Sequence, residues 1–316
     1  MSLYNNYIGI DIGKAFFVVA VYGSKKTHEY ENTPTGIKGF INDFNSKLKH
    51  SLTVLETTGG YEMRLLLTLC ETGYRVHRAN TRKVKRFIQS YGNEAKTDKL
   101  DALSLSLYGY ERSPRLEPFT PQSTQALALF ELVQRRTDLK QMLVAEKNRL
   151  QAPRAELIKE SCHAMLDVLA AQIKTITETI NTLIESDPVL KGKKAVLKTI
   201  PGIGDIIANE LLVLLPELGS LTRRKIASLA GLAPKANDSG QFNGYRCVSY
   251  GRCGIKPILF MAAMAARNSH SNLKSFYNQL INSGKKKMVA LTALMRKIIV
   301  IANARIRDFN LGLVSL

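Results

Sequence analysis

The 316-residue chain carries 45 Lys+Arg against 26 Asp+Glu, a formal net charge of +19, with 45% hydrophobic and 22% charged residues. Such a composition excludes disordered and collagen-like chains, and the length suits two or three domains with sizeable cores. No run approaches the about 18 apolar residues of a membrane span, the longest being 258–266.

The N-terminus passes directly into a strand-like segment, so no secretory leader is expected and a cytoplasmic location is. The four cysteines, Cys70, Cys162, Cys247 and Cys253, are then expected as reduced thiols. Cys247 and Cys253 are not at a zinc spacing, and no histidine pairs with a cysteine at ligand spacing.

In chain order, 7–12 alternates as a strand and 15–22 is an aromatic and β-branched second strand, with Gly13-Lys14 as the turn between them. A third, exposed strand is expected at 27–31, a helix at 36–48, a strand at 52–56, a helix at 61–72 and a strand at 74–78. A basic helix follows at 82–90 and another helix at 97–110. This order predicts an α/β domain around a mixed sheet, residues 1–112. Ser113-Pro114 and Pro118 to Pro121 read as a linker. Beyond it, Leu132, Leu139, Leu143 and Leu150 keep helical spacing up to Pro153. Leu166, Leu169, Ile173, Ile176, Ile180 and Leu183 then form an a/d seam. The two helices of this arm, within 113–190, suit either a hairpin inside one chain or pairing between chains. Residues 191–316 read as a mainly helical domain. It has helices at about 191–199 and 205–215 flanking Pro201-Gly202-Ile203-Gly204, an irregular stretch at 231–254, and strong helices at 257–267 and 289–308.

The charge is unevenly spread. Residues 196–316 hold 17 Lys+Arg and 5 Asp+Glu, whereas residues 1–112 hold 16 and 11. The basic half points to a polyanion, most often nucleic acid. The nearly balanced half keeps acids that could serve chemistry.

Four of those acids stand out. Asp11 ends the first strand, Glu56 ends the strand Leu52-Thr-Val-Leu-Glu56, and Asp98 and Asp101 are i and i+3 on one helix face. Converging carboxylates repel unless a cation neutralises them, and hard divalent cations favour oxygen ligands. Two such ions can stabilise both the attacking and the leaving oxygen of a phosphoryl transfer. The plainer reading makes each acid a surface or capping residue, with Asp98 as a helix N-cap.

Three segments, Tyr7-Ile-Gly-Ile-Asp-Ile-Gly-Lys14, Leu55-Glu-Thr-Thr-Gly-Gly-Tyr61 and Lys96-Thr-Asp-Lys-Leu-Asp-Ala102, resemble the acidic motifs of DEDD transposases of the insertion-sequence one-ten family, which includes the Piv-type DNA invertases. The resemblance runs over nearly the whole chain. It implies a RuvC-like, RNase H-like N-terminal fold and a Mg²⁺ site, with Mn²⁺ as a possible substitute, on Asp11, Glu56, Asp98 and Asp101. It also implies a bacterial or archaeal, nucleoid-associated enzyme of DNA transposition.

In the second half, the Gly202 and Gly204 turn resembles a helix-hairpin-helix element, which grips a nucleic-acid backbone through N–H groups at a helix start; its plainer reading is a helix–helix turn. Leu229-Ala-Gly-Leu-Ala-Pro234 followed by Ser239-Gly240 looks like the family's C-terminal motif, which implies Ser239 as the nucleophile forming a 5′-phosphoserine. Ser228, Ser249, Tyr245 and Tyr250 are rivals. Lys235, Arg246, Arg252 and Lys256 lie nearby as candidate nucleic-acid contacts. The sequence departs from the family at Gly251-Arg-Cys-Gly-Ile-Lys256, where Arg252 stands for the usual Asn and Lys256 for the usual Arg. Lys285, Lys286 and Lys287 form either a phosphate clamp or a solvated loop. The resemblance further implies a structured guide, the bridge RNA. It implies a dimer or tetramer as well, in which Ser239 of one chain completes the acidic site of another. A RuvC-like endonuclease without a covalent intermediate and a non-catalytic nucleic-acid-binding protein stand as alternatives.

Overall fold

The computed structural model describes residues 4–92, 97–121, 123–152, 156–236, 238–244 and 246–313, with the side chains of 157, 242 and 243 left aside. Lys96, Pro153 and Tyr245, singled out above, lie outside the described residues. The chain divides into two compact units, 1–122 and 123–316.

The first unit is a mixed five-stranded sheet. Its strands are β1 (Asn6–Ile12), β2 (Phe16–Val21), β3 (Thr27–Glu31), β4 (Ser51–Glu56) and β5 (Arg75–Ala79), in the order β3-β2-β1-β4-β5. β1 pairs antiparallel with β2 and parallel with β4, and β5 continues the parallel edge. Strand alternation decides the two faces. Ile8, Ile10 and Ile12 of β1 join a core with Phe40 of α1 (Pro34–Leu48) and Leu65 of α2 (Met63–Glu71). Tyr7 of β1 and Leu52 and Val54 of β4 turn to the other face. There they meet Val84 and Phe87 of α3 (Thr81–Gln89) and Leu105 and Tyr108 of α4 (Asp98–Arg112).

The contact between α4 and the sheet is unusually close. A Cβ on Gly9 would stand 2.1 Å from the Ala102 carbonyl oxygen and 2.3 Å from the Ser106 amide. The Ile-Gly-Ile-Asp segment therefore needs its glycine not for a turn but so that the α4 backbone can lie against β1.

In the second unit the arm is a hairpin within one chain. α5 (Thr124–Gln151) and α6 (Glu156–Ser186) pack on each other, and Leu129, Val133, Ile180 and Ile184 merge into the core of the helices that follow. A buried polar clamp fixes them: Arg136 donates to Thr177 Oγ1 at 2.8 Å and to Glu210 Oε1 at 2.7 Å. Then come α7 (Pro188–Lys198), α8 (Asp205–Leu214), α9 (Arg223–Leu229), α10 (Ile255–Ala266), α11 (Asn272–Asn282) and α12 (Lys287–Asn310). Two two-stranded ribbons lie between α9 and α10: β6 (Pro234–Lys235) pairs with β9 (Cys247–Val248), and β7 (Asp238–Ser239) with β8 (Phe242–Asn243). The apolar stripe of α12, including Leu294, Ile298, Ala302 and Ile306, is the axis of this unit's core. Among the described residues no helix is long and apolar enough to cross a membrane.

Candidate active site

The period of a strand places Asp11 on the same face as Tyr7 and Gly9, and Glu56 on the same face as Leu52 and Val54. β1 and β4 run parallel, with Ile10 opposite Leu55, so Asp11 and Glu56 are the next step along the register, at the carboxyl ends of adjacent strands. Ala102 of α4 sits on Gly9. The preceding turn of α4, carrying Asp98 and Asp101, is therefore carried toward the Asp11 end of β1. Thr97 is the N-cap of α4, its hydroxyl accepting from the Leu100 amide at 3.3 Å. Capping thus belongs to Thr97, which leaves Asp98 in the first turn beside Asp101, where the helix dipole favours carboxylates.

Asp11 senses the other three acids. Asp11 is half-buried, and its carboxyl is pushed up to about 6, first by burial and then by the charges of Asp101, Asp98 and Glu56. Asp98 is exposed, and Glu56 and Asp101 are half-buried. Among the described residues no three His, Cys, Asp or Glu side chains stand close enough, as arranged, to hold an ion. Carboxylate oxygens are nonetheless the donor type that a hard divalent cation takes, and burial and then the charges of the other three acids oppose ionisation of Asp11.

One organising residue is not evident from the motifs. Glu62, fully buried, accepts from the Thr58 amide and hydroxyl at 3.1 and 3.2 Å and from the Gly60 amide at 2.9 Å. It also pairs with Arg78 of β5 at 2.5 Å. Burial alone would raise its carboxyl, but the Arg78 hydrogen bond and the backbone amides hold it below the ordinary range. Glu62 therefore pins the Thr57-Thr58-Gly59-Gly60 loop that leaves Glu56. Its only signal in the sequence is an acid just after Gly-Gly and before an apolar helical run. On the other side of the site, Asn32 Nδ2 bridges the carbonyls of Gly13 and Tyr61, both at 3.1 Å.

The second unit holds the remaining candidates. Ser239 is exposed on the β7–β8 ribbon, opposite Phe242. The base of the ribbon region is tightly built. A Cβ on Gly231 would stand 1.8 Å from the Tyr250 carbonyl, and one on Gly251 would stand 2.4 Å from the Gly231 amide, so the two segments cross backbone to backbone. Tyr250 adopts a positive φ of 62°, and Lys235 lies over its ring at 4.0 Å. The guanidinium of Arg252 forks onto Glu217 at 2.5 and 2.7 Å and donates to the Leu214 carbonyl at 2.8 Å. It is engaged within the chain. Burial raises the Glu217 carboxyl, and the bonds from Arg252 and from its own backbone amide outweigh this and hold it low. Arg246 is exposed, 3.5 Å from Asp238, and the stem of Lys256 lies over Gly231.

Gly202 has φ +90° and sits where a Cβ would meet the Ala262 carbonyl at 2.3 Å, so it serves the turn and its packing on α10. Gly204 is the N-cap of α8, whose first residue, Asp205, is held by Lys198 at 2.9 Å and Lys194 at 3.3 Å. That helix end thus carries a carboxylate of its own. Lys285, Lys286 and Lys287 are exposed at the start of α12, which has no acid in its first turn.

Residues 8–153 match a family model described as a transposase of the DEDD, IS110 type, and residues 194–278 match one described as "Transposase IS116/IS110/IS902 family". The chain is similar to the "Pilin gene-inverting protein" of Moraxella lacunata, 30% identical with 96% of each chain covered, and to that of Moraxella bovis, 29% identical with the same coverage. It also resembles an IS110 element protein of Streptomyces coelicolor, 30% identical over 48% of this chain and 37% of that one. Family membership carries a general dependence on divalent metal. The chain belongs to the IS110 family of transposases and is a DNA recombinase enzyme of that family, related to the Piv-type invertases.

Proposed function

We propose that the enzyme cuts and rejoins DNA, with Asp11, Glu56, Asp98 and Asp101 holding Mg²⁺, or Mn²⁺ in its place, and Ser239 as the nucleophile. The observation that supports this most is that Asp11 and Glu56 end adjacent parallel strands while burial, and then the charges of Asp101, Asp98 and Glu56, raise the Asp11 carboxyl. The bound metal supplies charge stabilisation to the oxygens of the transferring phosphoryl group. Ser239 Oγ attacks phosphorus, the P–O3′ bond breaks, the serine proton is lost, and the departing 3′ oxygen takes up a proton. The products are a 5′-phosphoserine and a free 3′-OH. Attack by a 3′-OH from a second strand then reverses the balance and releases the serine, so the strand is rejoined without external energy. An exposed serine on a ribbon anchored at Gly231–Gly251 is accessible to a DNA phosphate. The RNase H-like fold, a structured guide RNA that pairs with DNA, a nucleoid-associated cytoplasmic location and a dimer or tetramer that brings Ser239 to the acids belong to the same reading.

The test is a denaturing gel after incubation with DNA flanking the gene, its co-transcribed RNA and Mg²⁺. A covalent protein–DNA band that disappears in Ser239→Ala and in Asp11→Asn is expected. Free cut ends without such a band, still formed by Ser239→Ala, identify hydrolysis by the acids alone. Omitting the RNA tests guidance directly.

A further inference from the structure

The acids create a difficulty for a DNA substrate, because exposed and half-buried carboxylates repel phosphate. We infer that the exposed face of α3 is the seat for the DNA backbone that approaches the acidic edge. This inference rests on the phosphoryl-transfer reading above. In nine residues α3 carries Arg82, Lys83, Lys85 and Arg86 and no acid. Val84 and Phe87 are buried against the α4 face of the sheet, which leaves all four cations exposed. Among the described residues no ion pair involves Lys83, Lys85 or Arg86.

The helix is also tied to the site. Ala79, two residues before α3, pairs with Glu56 across β4 and β5. The Thr57 hydroxyl donates to the Ala79 carbonyl at 3.4 Å, and the Thr81 hydroxyl donates to the Thr57 carbonyl at 3.2 Å. The first turn of α3 is thus hydrogen-bonded to the residue following Glu56, on the same sheet face as the four acids. Arg82 to Arg86 spans about 6 Å of helix, against about 3.4 Å of duplex axis per phosphate of one strand, so the face matches about two successive phosphates. DNA is favoured over RNA because the seat adjoins the acids and DNA is what this family recombines.

The test measures binding of the full-length protein to a labelled duplex from DNA flanking the gene, by anisotropy across a salt series. Phosphate contacts set the slope of log K against log salt. Combined Lys83→Gln, Lys85→Gln and Arg86→Gln is expected to weaken binding and reduce the slope by about 2–3. Lys83→Arg with Lys85→Arg should keep it. Lys85→Gln alone, expected to lower the slope by about 1, serves if the triple variant folds poorly by circular dichroism. An unchanged slope in a folded variant overturns the inference. So does a loss confined to structured RNA with duplex affinity intact. Stabilisation by Mn²⁺ that depends on Asp11, followed in parallel by thermal shift, judges the metal reading separately and should be unaltered by the α3 variants.

Discussion

Asp11 stands where three demands meet: the end of β1, the α4 face of the sheet and the charges of three other acids. Its carboxyl titrates near 6 rather than near 3.8, so folding binds its proton more tightly than the unfolded chain does. The sign follows: this contribution to stability is fully present below about pH 4 and is lost as pH rises through about 6. In metal-free protein the melting temperature should fall over that window. Asp11→Asn should flatten the profile and stabilise the protein at pH 7.5 by about 1–2 kcal/mol, the full linkage effect being reduced by the partial exposure of the side chain. A divalent ion should restore the wild-type protein and leave the variant unmoved. The same substitution should lower strand cleavage by about 10³-fold or more; cleavage near wild-type levels would falsify the metal-binding role. Gly9 makes the complementary case. Gly9→Ala adds a single methyl, yet that methyl meets the α4 backbone, which cannot rotate aside. A loss of about 2–3 kcal/mol in urea unfolding is expected, with cleavage reduced because Asp98 and Asp101 move with the helix.

Among the elements, the loop after β4 and the arm hairpin are each held by one buried charge. Glu62→Gln leaves Arg78 without its partner and weakens the grip on Thr58 and Gly60. A cost of about 2–3 kcal/mol is expected at neutral pH, because Arg78 retains partial access to water. As the Glu62 carboxyl is held low, its contribution is present above the ordinary carboxylate range and fades as the pH falls through its folded value. The difference between wild type and Glu62→Gln should accordingly narrow in acid. In the arm, Arg136→Ala strands Glu210 and should cost about 3 kcal/mol, whereas Arg136→Met, which keeps the apolar stem, should cost less. Thermal denaturation of the two variants separates charge from packing. The heptad seam at 166–183 showed the helix and its apolar face. It could not choose a partner, because a/d spacing is the same whether the facing helix is α5 or another chain. Arg136, Thr177 and Glu210 come from three helices, so no local pattern marks their clamp.

At the level of the molecule, the +19 charge resolves into two units with different tasks. Residues 123–316 hold 28 Lys+Arg and 14 Asp+Glu, against 17 and 12 in residues 1–122. The second unit, produced alone and checked for cooperative folding, should bind duplex DNA with most of the full chain's affinity and a steep salt dependence. Equal affinity of the two separated units would contradict this division. Arg252 shows why charge alone is a poor guide within the unit, since its side chain is occupied by Glu217 and the end of α8.

Strand alternation, helix spacing and turn residues are local, so the order of elements in the first unit, the hairpin-forming helices and the four acids could be read directly from the chain. The α/β character followed from that order, because each pattern reports the face that one element buries. Other features depended on contacts between residues far apart in sequence. Gly9 proved to be a packing glycine because Ala102 and Ser106 lie on it. Thr97 took the cap that Asp98 had been a candidate for. Glu62 gained its importance from Arg78, 16 residues away. α9 and α11, both short, emerge as helices that pack against α12. A one-dimensional pattern encodes which face of an element is apolar; which other element covers that face, and which charges are thereby driven together, is settled when the packed chain brings distant residues into contact.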